Sequence, residues 1–145
     1  MFNVANTPGL AVIAISRDCE AVGIDAEPQT AVIEMQTMSL FCSSAEIEAL
    51  STLAGGEHRQ LLLSYRVLKE SFLKAKGTGL VDELNRITVR CDPEVRTIRV
   101  DDGRNEKEGW HHSLLVTPGG HLVAVSAKRG CAAGIRLRQR QIPGP

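Results

Sequence analysis

The spacing of apolar and polar residues predicts strands at both ends of the chain and helices between them. Two β-branched apolar runs, "GLAVIAISR" at residues 9–17 and "AVGIDAE" at residues 21–27, flank the polar "DCE" and predict a β-hairpin. From Thr30 to Lys76 the apolar residues recur at helical intervals. Beyond residue 84 the period returns to two in "RITVRC", "VRTIRV", "HSLLVT" and "HLVAVSAK". This order predicts an α+β domain with helices packed on one face of an antiparallel sheet.

Local signals place two helices in the central part of the chain. Ser43 or Ser44 is suited to cap a helix over "AEIEALSTL", because a serine side chain accepts hydrogen bonds from the free N–H groups of a first turn. A longer helix is predicted from about Glu57 to Lys76, and the glycines of "GTG" end it.

Composition and charge narrow the class of protein. The chain has 145 residues, of which 43% are apolar, and we expect a single domain over residues 1–135 with a mobile tail over 136–145. Lysine plus arginine and aspartate plus glutamate both total 17, and this balance argues against nucleic acid as a partner. The chain lacks a long apolar run and a leader sequence, so we expect a cytoplasmic protein with no membrane partner.

Neither the cysteines nor the histidines have the spacing of a metal site. The cysteines are scattered without a C-x-x-C pair, which favours reduced thiols over a zinc site or a disulfide framework. We interpret the histidines as surface or turn residues: His58, His111, His112 and His121. The candidate chemistry therefore depends on carboxylates and lysines.

The strand "VGIDAE" carries acidic side chains on one face. Alternation along a strand puts Gly23, Asp25 and Glu27 on the same side. Carboxylates at i and i+2 lie close enough to share a hard cation such as Mg²⁺, and Gly23 would leave room beside them. The alternative is a strand whose acidic face is simply solvated.

The long helix carries a stripe that begins apolar and ends charged. Leu63, Val67, Glu70 and Lys74 follow one another at helical spacing, while Lys69 lies on the flank of this stripe. The alternative is an ordinary surface ion pair between Glu70 and Lys74.

If Glu70 meets Asp25 and Glu27, three carboxylates would gather around one cation. Lys69 and Lys74 would then be available for phosphate oxygens. A metal ion beside lysines is the arrangement that phosphoryl transfer requires, because negative charge develops on the phosphate oxygens.

These segments together resemble a known enzyme family. "GIDAE" followed by "LKESFLKAKGTGL" resembles the paired motifs of 4'-phosphopantetheinyl transferases of the Sfp type, roughly GID-x-E and W-x-x-KE-(A/S)-x-x-K-x-x-G-x-G-L. "FCSSAEIEAL" is similar to the segment between those motifs, with Glu46 at its glutamate, and "LLVTPGGHLVAVSA" is similar to the closing strands. The resemblance implies the α+β fold of one half of such an enzyme.

The resemblance implies a reaction and roles for particular residues. Phosphopantetheine would pass from coenzyme A to a serine of an apo acyl or peptidyl carrier protein, with release of 3',5'-ADP. Asp25, Glu27 and Glu70 match the Mg²⁺ ligands, and Glu70 also matches a base that accepts the serine proton directly or through water. Lys69 and Lys74 match the ligands of the coenzyme A phosphates, with Lys74 beside the leaving phosphate.

Three residues in two segments depart from the family pattern. "NVANT" replaces N-x-SH-(S/T), so that Ala5 and Asn6 stand where Ser-His would contact a coenzyme A phosphate, and Asn6 remains a possible hydrogen-bond donor. Arg66 replaces the tryptophan that opens the second motif.

Sfp-type enzymes have two similar halves, and this chain resembles the second. The missing contacts would come from an N-terminal partner domain, or from a homo-oligomer like the trimers of the shorter holo-acyl-carrier-protein synthases. A domain of a polyketide synthase is one setting that the resemblance implies. The alternative function is a noncatalytic domain that binds a carrier protein or coenzyme A.

Overall fold

The computed structural model describes residues 1–77, 84–92, 97–104 and 109–129. Within these ranges the strands are β1 (Phe2–Thr7), β2 (Leu10–Ile15), β3 (Ala21–Pro28), β4 (Thr88–Asp92), β5 (Thr97–Asp101), β6 (Trp110–Val116) and β7 (His121–Lys128). The α-helices are α1 (Met38–Phe41), α2 (Ser44–Ser51) and α3 (Gly55–Lys76), and short 3₁₀ turns span Met35–Thr37 and Leu84–Arg86.

The two main helices begin and end at the residues that local chemistry favours. Ser43 caps α2 in a capping box, since its hydroxyl accepts from the Glu46 N–H while the Glu46 carboxylate accepts from the Ser43 N–H. Helix α3 starts two residues before the predicted Glu57. It ends as predicted at Gly77, whose φ of 71° is left-handed and therefore favours glycine.

The main sheet has the order β3-β7-β6 and is antiparallel throughout. Helix α3 lies on one face of this sheet, against β3 and β7. The predicted α+β class, with antiparallel strands and helices, is confirmed. Strands β4 and β5 form a separate antiparallel pair.

The predicted hairpin between residues 9–17 and 21–27 is wrong. Strand β2 pairs with β1 instead, while β3 pairs with β7. The β1–β2 connection is made by Pro8 and Gly9, and the φ of 81° at Gly9 suits a tight turn that only glycine adopts readily. The Pro-Gly dipeptide is the signal that marks this turn in the sequence.

The β1–β2 hairpin covers the face of the main sheet that is opposite α3. Ala5 of β1 packs against Ile24, Ala26 and Val123. The sheet thus lies between the hairpin and α3, and Gly23 and Asp25 face α3 because side chains alternate along β3.

Helix α3 is buried over more of its circumference than its predicted stripe. The sheet covers one side, and a cluster that includes Phe41 of α1, Leu50 of α2 and Val89 of β4 packs against its first half. No helix in the described ranges is both long and apolar enough to cross a membrane. The predicted tail at 136–145 lies outside these ranges.

Candidate active site

Strand β3 carries the predicted metal ligands on the side of the sheet that faces α3. Asp25 and Glu27 are both half-buried, and they pair with Ala124 and Leu122 of β7. Their burial argues against the alternative of a fully solvated acidic face.

Helix α3 brings Glu70 and Lys74 to the same region. These residues are one helical turn apart and both are half-buried, whereas Leu63 and Val67 earlier on the stripe are fully buried. A stripe that passes from the core to the surface delivers its charged end to the edge of the helix–sheet contact.

The charges of these residues act on one another at Asp25. The pKa of Asp25 is raised to about 7, chiefly by burial and next by the negative charge of Glu70, with a smaller contribution from Glu27, while Lys74 and the Ala26 N–H lower it. Asp25 therefore lies within electrostatic reach of Glu70, Glu27 and Lys74. A carboxyl group whose neighbours oppose its ionisation is one that a bound cation would help to ionise.

Lys74 is held in place by the backbones of two strands. Its ammonium donates to the Val4 carbonyl in β1 at 2.7 Å and to the Ile24 carbonyl in β3 at 2.7 Å. The Ile24 N–H at the same edge donates to Oδ1 of Asn3 at 2.9 Å. These bonds use two of the three N–H groups of the ammonium and fix its positive charge beside Asp25.

The acidic residues fit a Mg²⁺ site that is completed by oxygens of a ligand. Within the described ranges, no group of three acidic, histidine or cysteine side chains is close enough to hold a metal ion by itself. Mg²⁺ commonly binds one or two protein carboxylates and completes its octahedron with water and phosphate oxygens. Burial and the neighbouring carboxylates raise the pKa of Asp25, and such an ion would offset both effects.

Lys69 differs from the expectation of a side chain directed at coenzyme A. It is fully buried, and its ammonium donates to the Glu46 carboxylate at 2.5 Å. It also donates to the carbonyls of Phe41 at 2.6 Å and Leu84 at 3.0 Å. These three bonds use all three N–H groups of the ammonium, so that none is left for a phosphate in this arrangement.

The burial of Lys69 could have been predicted from its neighbours on the helix, although a lysine is usually exposed. Four positions surround it on the helix surface at i−7, i−4, i+3 and i+4, and all are apolar and buried: Leu62, Tyr65, Phe72 and Leu73. A lysine within such a face requires a buried partner, and Glu46 supplies it.

Glu46 joins the ends of several elements. Beyond its contact with Lys69, its carboxylate accepts from the Ser43 N–H at 2.9 Å and from the Val89 N–H in β4 at 2.7 Å. The Glu46–Lys69 pair therefore connects α2, α3 and β4, and it fixes the orientation of the helix that carries Glu70.

Asn6 lies on the exposed face of the hairpin, whereas Asp25 lies on the side of the sheet that faces α3. It pairs with Ala11, and its side chain is solvent-accessible. The neighbouring Ala5 is buried under the sheet. The hairpin side chain that hydrogen-bonds to β3 is Asn3, which stands at the first position of "NVANT" and matches the asparagine of the family pattern.

Two histidines differ from the expectation of surface or turn residues. His112 stacks on Trp110, and its Nδ1 lies 2.8 Å from Oγ of Ser126. His121 is buried, and its Nε2 lies 2.8 Å from the Pro8 carbonyl. The alternation in "WHHSLLV" could have shown that Trp110 and His112 share the inward face of β6.

Solved structures with a similar fold are holo-acyl-carrier-protein synthases. The enzyme from Thermotoga maritima is 22% identical with a TM-score of 0.60, over 77% of this chain and 64% of that one. The enzyme from Bacillus anthracis, solved in complex with CoA (3',5'-ADP), is 19% identical with a TM-score of 0.66, over 79% and 100% of the chains. The enzyme from Plasmodium yoelii is 15% identical with a TM-score of 0.57, over 78% and 96%. At these identities the similarity establishes the fold.

The sequence itself establishes the family. The pattern of the 4'-phosphopantetheinyl transferase superfamily matches residues 21–126, a range that includes Asp25, Glu70 and Lys74. The chain therefore belongs to the 4'-phosphopantetheinyl transferase superfamily, the class of enzyme that its motifs predict. It spans less than two thirds of the T. maritima enzyme. No curated protein sequence matches it.

Proposed function

We propose that this chain transfers the 4'-phosphopantetheine group of coenzyme A to a serine hydroxyl of an apo acyl or peptidyl carrier protein. Mg²⁺ would be the cofactor, and 3',5'-ADP would leave. The observation that carries this proposal is the meeting of Asp25, Glu70 and Lys74 where α3 packs on β3. The family match and the B. anthracis synthase, solved in complex with CoA, support the same substrates.

The carboxylates of Asp25, Glu27 and Glu70 are the groups that would hold the ion. When bound, Mg²⁺ neutralises charge on the pyrophosphate of coenzyme A. Asp25 is the strongest candidate, because its carboxyl is buried among like charges and gains most from a neighbouring cation.

The proposed reaction uses Glu70 and Lys74 in separate roles. Glu70 accepts the proton of the carrier serine, directly or through a water molecule. The serine oxygen then bonds to the phosphorus that carries pantetheine. The bond from this phosphorus to the bridging oxygen breaks, and 3',5'-ADP leaves with the electron pair. Lys74, held by two carbonyls, offers its remaining N–H to the phosphate of the leaving group.

Lys69 and Asn6 take different places in this proposal. We assign Lys69 the role of orienting α3 through Glu46, because its donors are all used within the protein. Asn6 is exposed, so its amide is free to meet a phosphate of coenzyme A. We propose that the chain is of the Sfp type, because it carries the two spaced motifs. One setting for it would be a domain of a polyketide synthase.

The β1–β2 hairpin offers a surface that a second copy of the chain or an N-terminal partner domain would contact. The exposed face of the hairpin carries large apolar side chains: Phe2, Val4, Ile13 and Ile15. Apolar faces of this kind often mark contacts between proteins. Val4 also supplies a carbonyl to Lys74, so a partner on this face would adjoin the site.

The proposal is tested by intact mass spectrometry after incubation with coenzyme A and Mg²⁺. Apo acyl and apo peptidyl carrier proteins are used in separate reactions, with EDTA as the control. We expect one of them to gain the mass of one phosphopantetheine group in Mg²⁺ and not in EDTA. If neither gains mass while calorimetry shows binding of coenzyme A, the noncatalytic alternative is favoured.

A further inference from the structure

Three residues form a row across the sheet directly beneath α3. Gly23 of β3 pairs with Ser126 of β7, and Ser126 pairs in turn with His112 of β6. All three face the helix, because a Cβ at Gly23 would meet α3 and the other two belong to a hydrogen-bond chain that reaches it. Asp25 lies two residues along the same face, a distance of about 7 Å. We call Gly23, Ser126 and His112 the helix seat.

A chain of hydrogen bonds joins the helix seat to α3, and its direction follows from the chemistry of its last acceptor. Oγ of Ser71 lies 2.8 Å from the Leu68 carbonyl and 2.7 Å from Oγ of Ser126. A carbonyl only accepts, so Ser71 gives its one hydroxyl proton to Leu68. Ser126 must then donate to Ser71. His112, with Nδ1 at 2.8 Å, donates to Ser126, which fixes its tautomer.

Aromatic rings hold His112 in the orientation that this chain requires. Trp110 stacks on the imidazole with ring centroids 6.0 Å apart and planes within 6°. Phe72 of α3 meets the same ring edge-on at 5.8 Å. Burial, together with the charge of His111, lowers the pKa of His112 to about 4, so the ring stays neutral near pH 7.

Ser71 contacts two members of the helix seat at once. Its hydroxyl binds Ser126, and its carbonyl oxygen lies where a Cβ at residue 23 would be only 2.0 Å away. Both serines are fully buried. Ser71 directly follows Glu70, so any shift of Ser71 on the sheet also moves Glu70 relative to Asp25.

We infer that the helix seat sets the distance between Asp25 and Glu70, and that His112 is a positioning residue that acts through the two serines. This inference rests on the proposed function, because it assigns the seat to the metal site. Loss of a hydrogen-bonded neighbour that orients metal-binding groups commonly lowers metal affinity about 10–100-fold. The seat should therefore affect the affinity for a divalent cation as well as catalysis.

The test is a titration of the full chain with Mn²⁺ in the presence of coenzyme A, whose phosphate oxygens complete the site, followed by electron paramagnetic resonance. His112→Phe keeps an aromatic ring and removes the donor, whereas His112→Asn keeps a donor near the Nδ1 position. We expect His112→Phe to weaken Mn²⁺ binding about tenfold and His112→Asn to restore most of the loss. Ser71→Ala should resemble His112→Phe.

Ser64→Ala is the matched control. It removes a hydroxyl from the same helix, but one whose hydrogen bond, among the described residues, goes to the Gln60 carbonyl one turn earlier. Thermal unfolding followed by circular dichroism shows that each variant is folded, and the two His112 variants decide the question if Ser71→Ala does not fold. The control should bind Mn²⁺ like the unmodified chain.

The outcomes separate this inference from the proposed function. A folded His112→Phe variant with unchanged Mn²⁺ affinity would overturn the inference, even if the unmodified chain transfers phosphopantetheine. Absence of Mn²⁺ binding to the unmodified chain would overturn it as well. If the variants bind Mn²⁺ with the expected differences in affinity but the unmodified chain transfers no phosphopantetheine, the result would support the helix seat and contradict the proposed reaction.

Discussion

The carbonyl oxygen of Ser71 lies directly over the α-carbon of Gly23, and a Cβ added there would be 2.0 Å from it. Alternation along the strand predicts that Gly23 leaves room beside Asp25 and Glu27. The helix backbone fills that room instead, and the close contact brings Glu70 and Lys74 within electrostatic reach of Asp25.

Gly23→Ala should therefore disturb both stability and the site. Because the obstructing atoms belong to backbone, α3 must move, and we expect a loss of about 1–3 kcal/mol in the free energy of unfolding. Urea unfolding and Mn²⁺ titration measure the two effects.

Gly56→Ala is the matched control for Gly23→Ala. It lies in α3, and within the described part of the chain no atom outside its own helix backbone and chain neighbours lies within 4 Å of a new Cβ. Alanine should stabilise the helix there by about 0.5–1 kcal/mol. Equal effects of the two substitutions would contradict the importance of the close contact.

The pKa of Asp25 predicts how the stability of the metal-free protein depends on pH. Because burial and the charge of Glu70 raise this pKa from 3.8 to about 7, the folded chain binds a proton that the unfolded chain has lost between these values. The contribution of Asp25 to the free energy of unfolding should therefore fall as pH rises through this window. Asp25→Asn removes this contribution.

The shifted pKa of His112 makes stability depend on pH in the opposite direction, so its contribution has to be separated from that of Asp25. Its pKa is lowered from 6.5 to about 4, so the unfolded chain binds the extra proton and stability rises with pH across that window. We therefore compare the unmodified chain with Asp25→Asn at about pH 5 and about pH 8 by urea unfolding. The free energy of unfolding of Asp25→Asn, compared with that of the unmodified chain, should be larger at the higher pH than at the lower one. A difference that does not change with pH would contradict the raised pKa.

Lys69 and Lys74 should respond differently to replacement by methionine. Lys69→Met leaves the Glu46 carboxylate buried without its partner, and we expect it to lower the free energy of unfolding by about 3–5 kcal/mol. Lys74→Met should destabilise less, because Lys74 is only half-buried, and should weaken binding of coenzyme A more. Urea unfolding and calorimetry at a temperature where both variants are folded measure these effects. Normal stability with weakened coenzyme A binding in Lys69→Met would restore Lys69 as a phosphate ligand.

The apolar face of the hairpin predicts the state of the protein in solution. Ile15 is 73% exposed, and a second copy that covers it would be displaced by Ile15→Lys. Light scattering should show an oligomer for the unmodified chain and a smaller species for this variant. A monomer in both cases would favour an N-terminal partner domain over a homo-oligomer.

Local patterns in the sequence predict much of this fold. The strands after residue 84 follow from their period of two, and α3 follows from its apolar stripe and Gly77. These signals depend on neighbours in the chain. The pairing of β3 with β7 joins segments that are about 100 residues apart. A local pattern predicts a strand but does not indicate which strand it pairs with.

The candidate site was predictable to a similar extent. Alternation and helical spacing place Asp25 and Glu70 on faces that can meet, and the structure brings their charges together. The burial of Lys69 depends on Glu46 and on distant carbonyls, and the alignment of Ser126 with Gly23 depends on strand register. Both are tertiary relationships, which motif spacing does not contain.

The central claim is that Asp25, at the contact of β3 with α3, holds the ion needed for phosphopantetheine transfer. The most direct test is intact mass spectrometry of an apo carrier protein incubated with coenzyme A, Mg²⁺ and either Asp25→Asn or Asp18→Asn, an exposed control in the turn before β3. Asp18→Asn should transfer one phosphopantetheine group like the unmodified chain, and Asp25→Asn should transfer none. Full transfer by a folded Asp25→Asn variant would contradict the account.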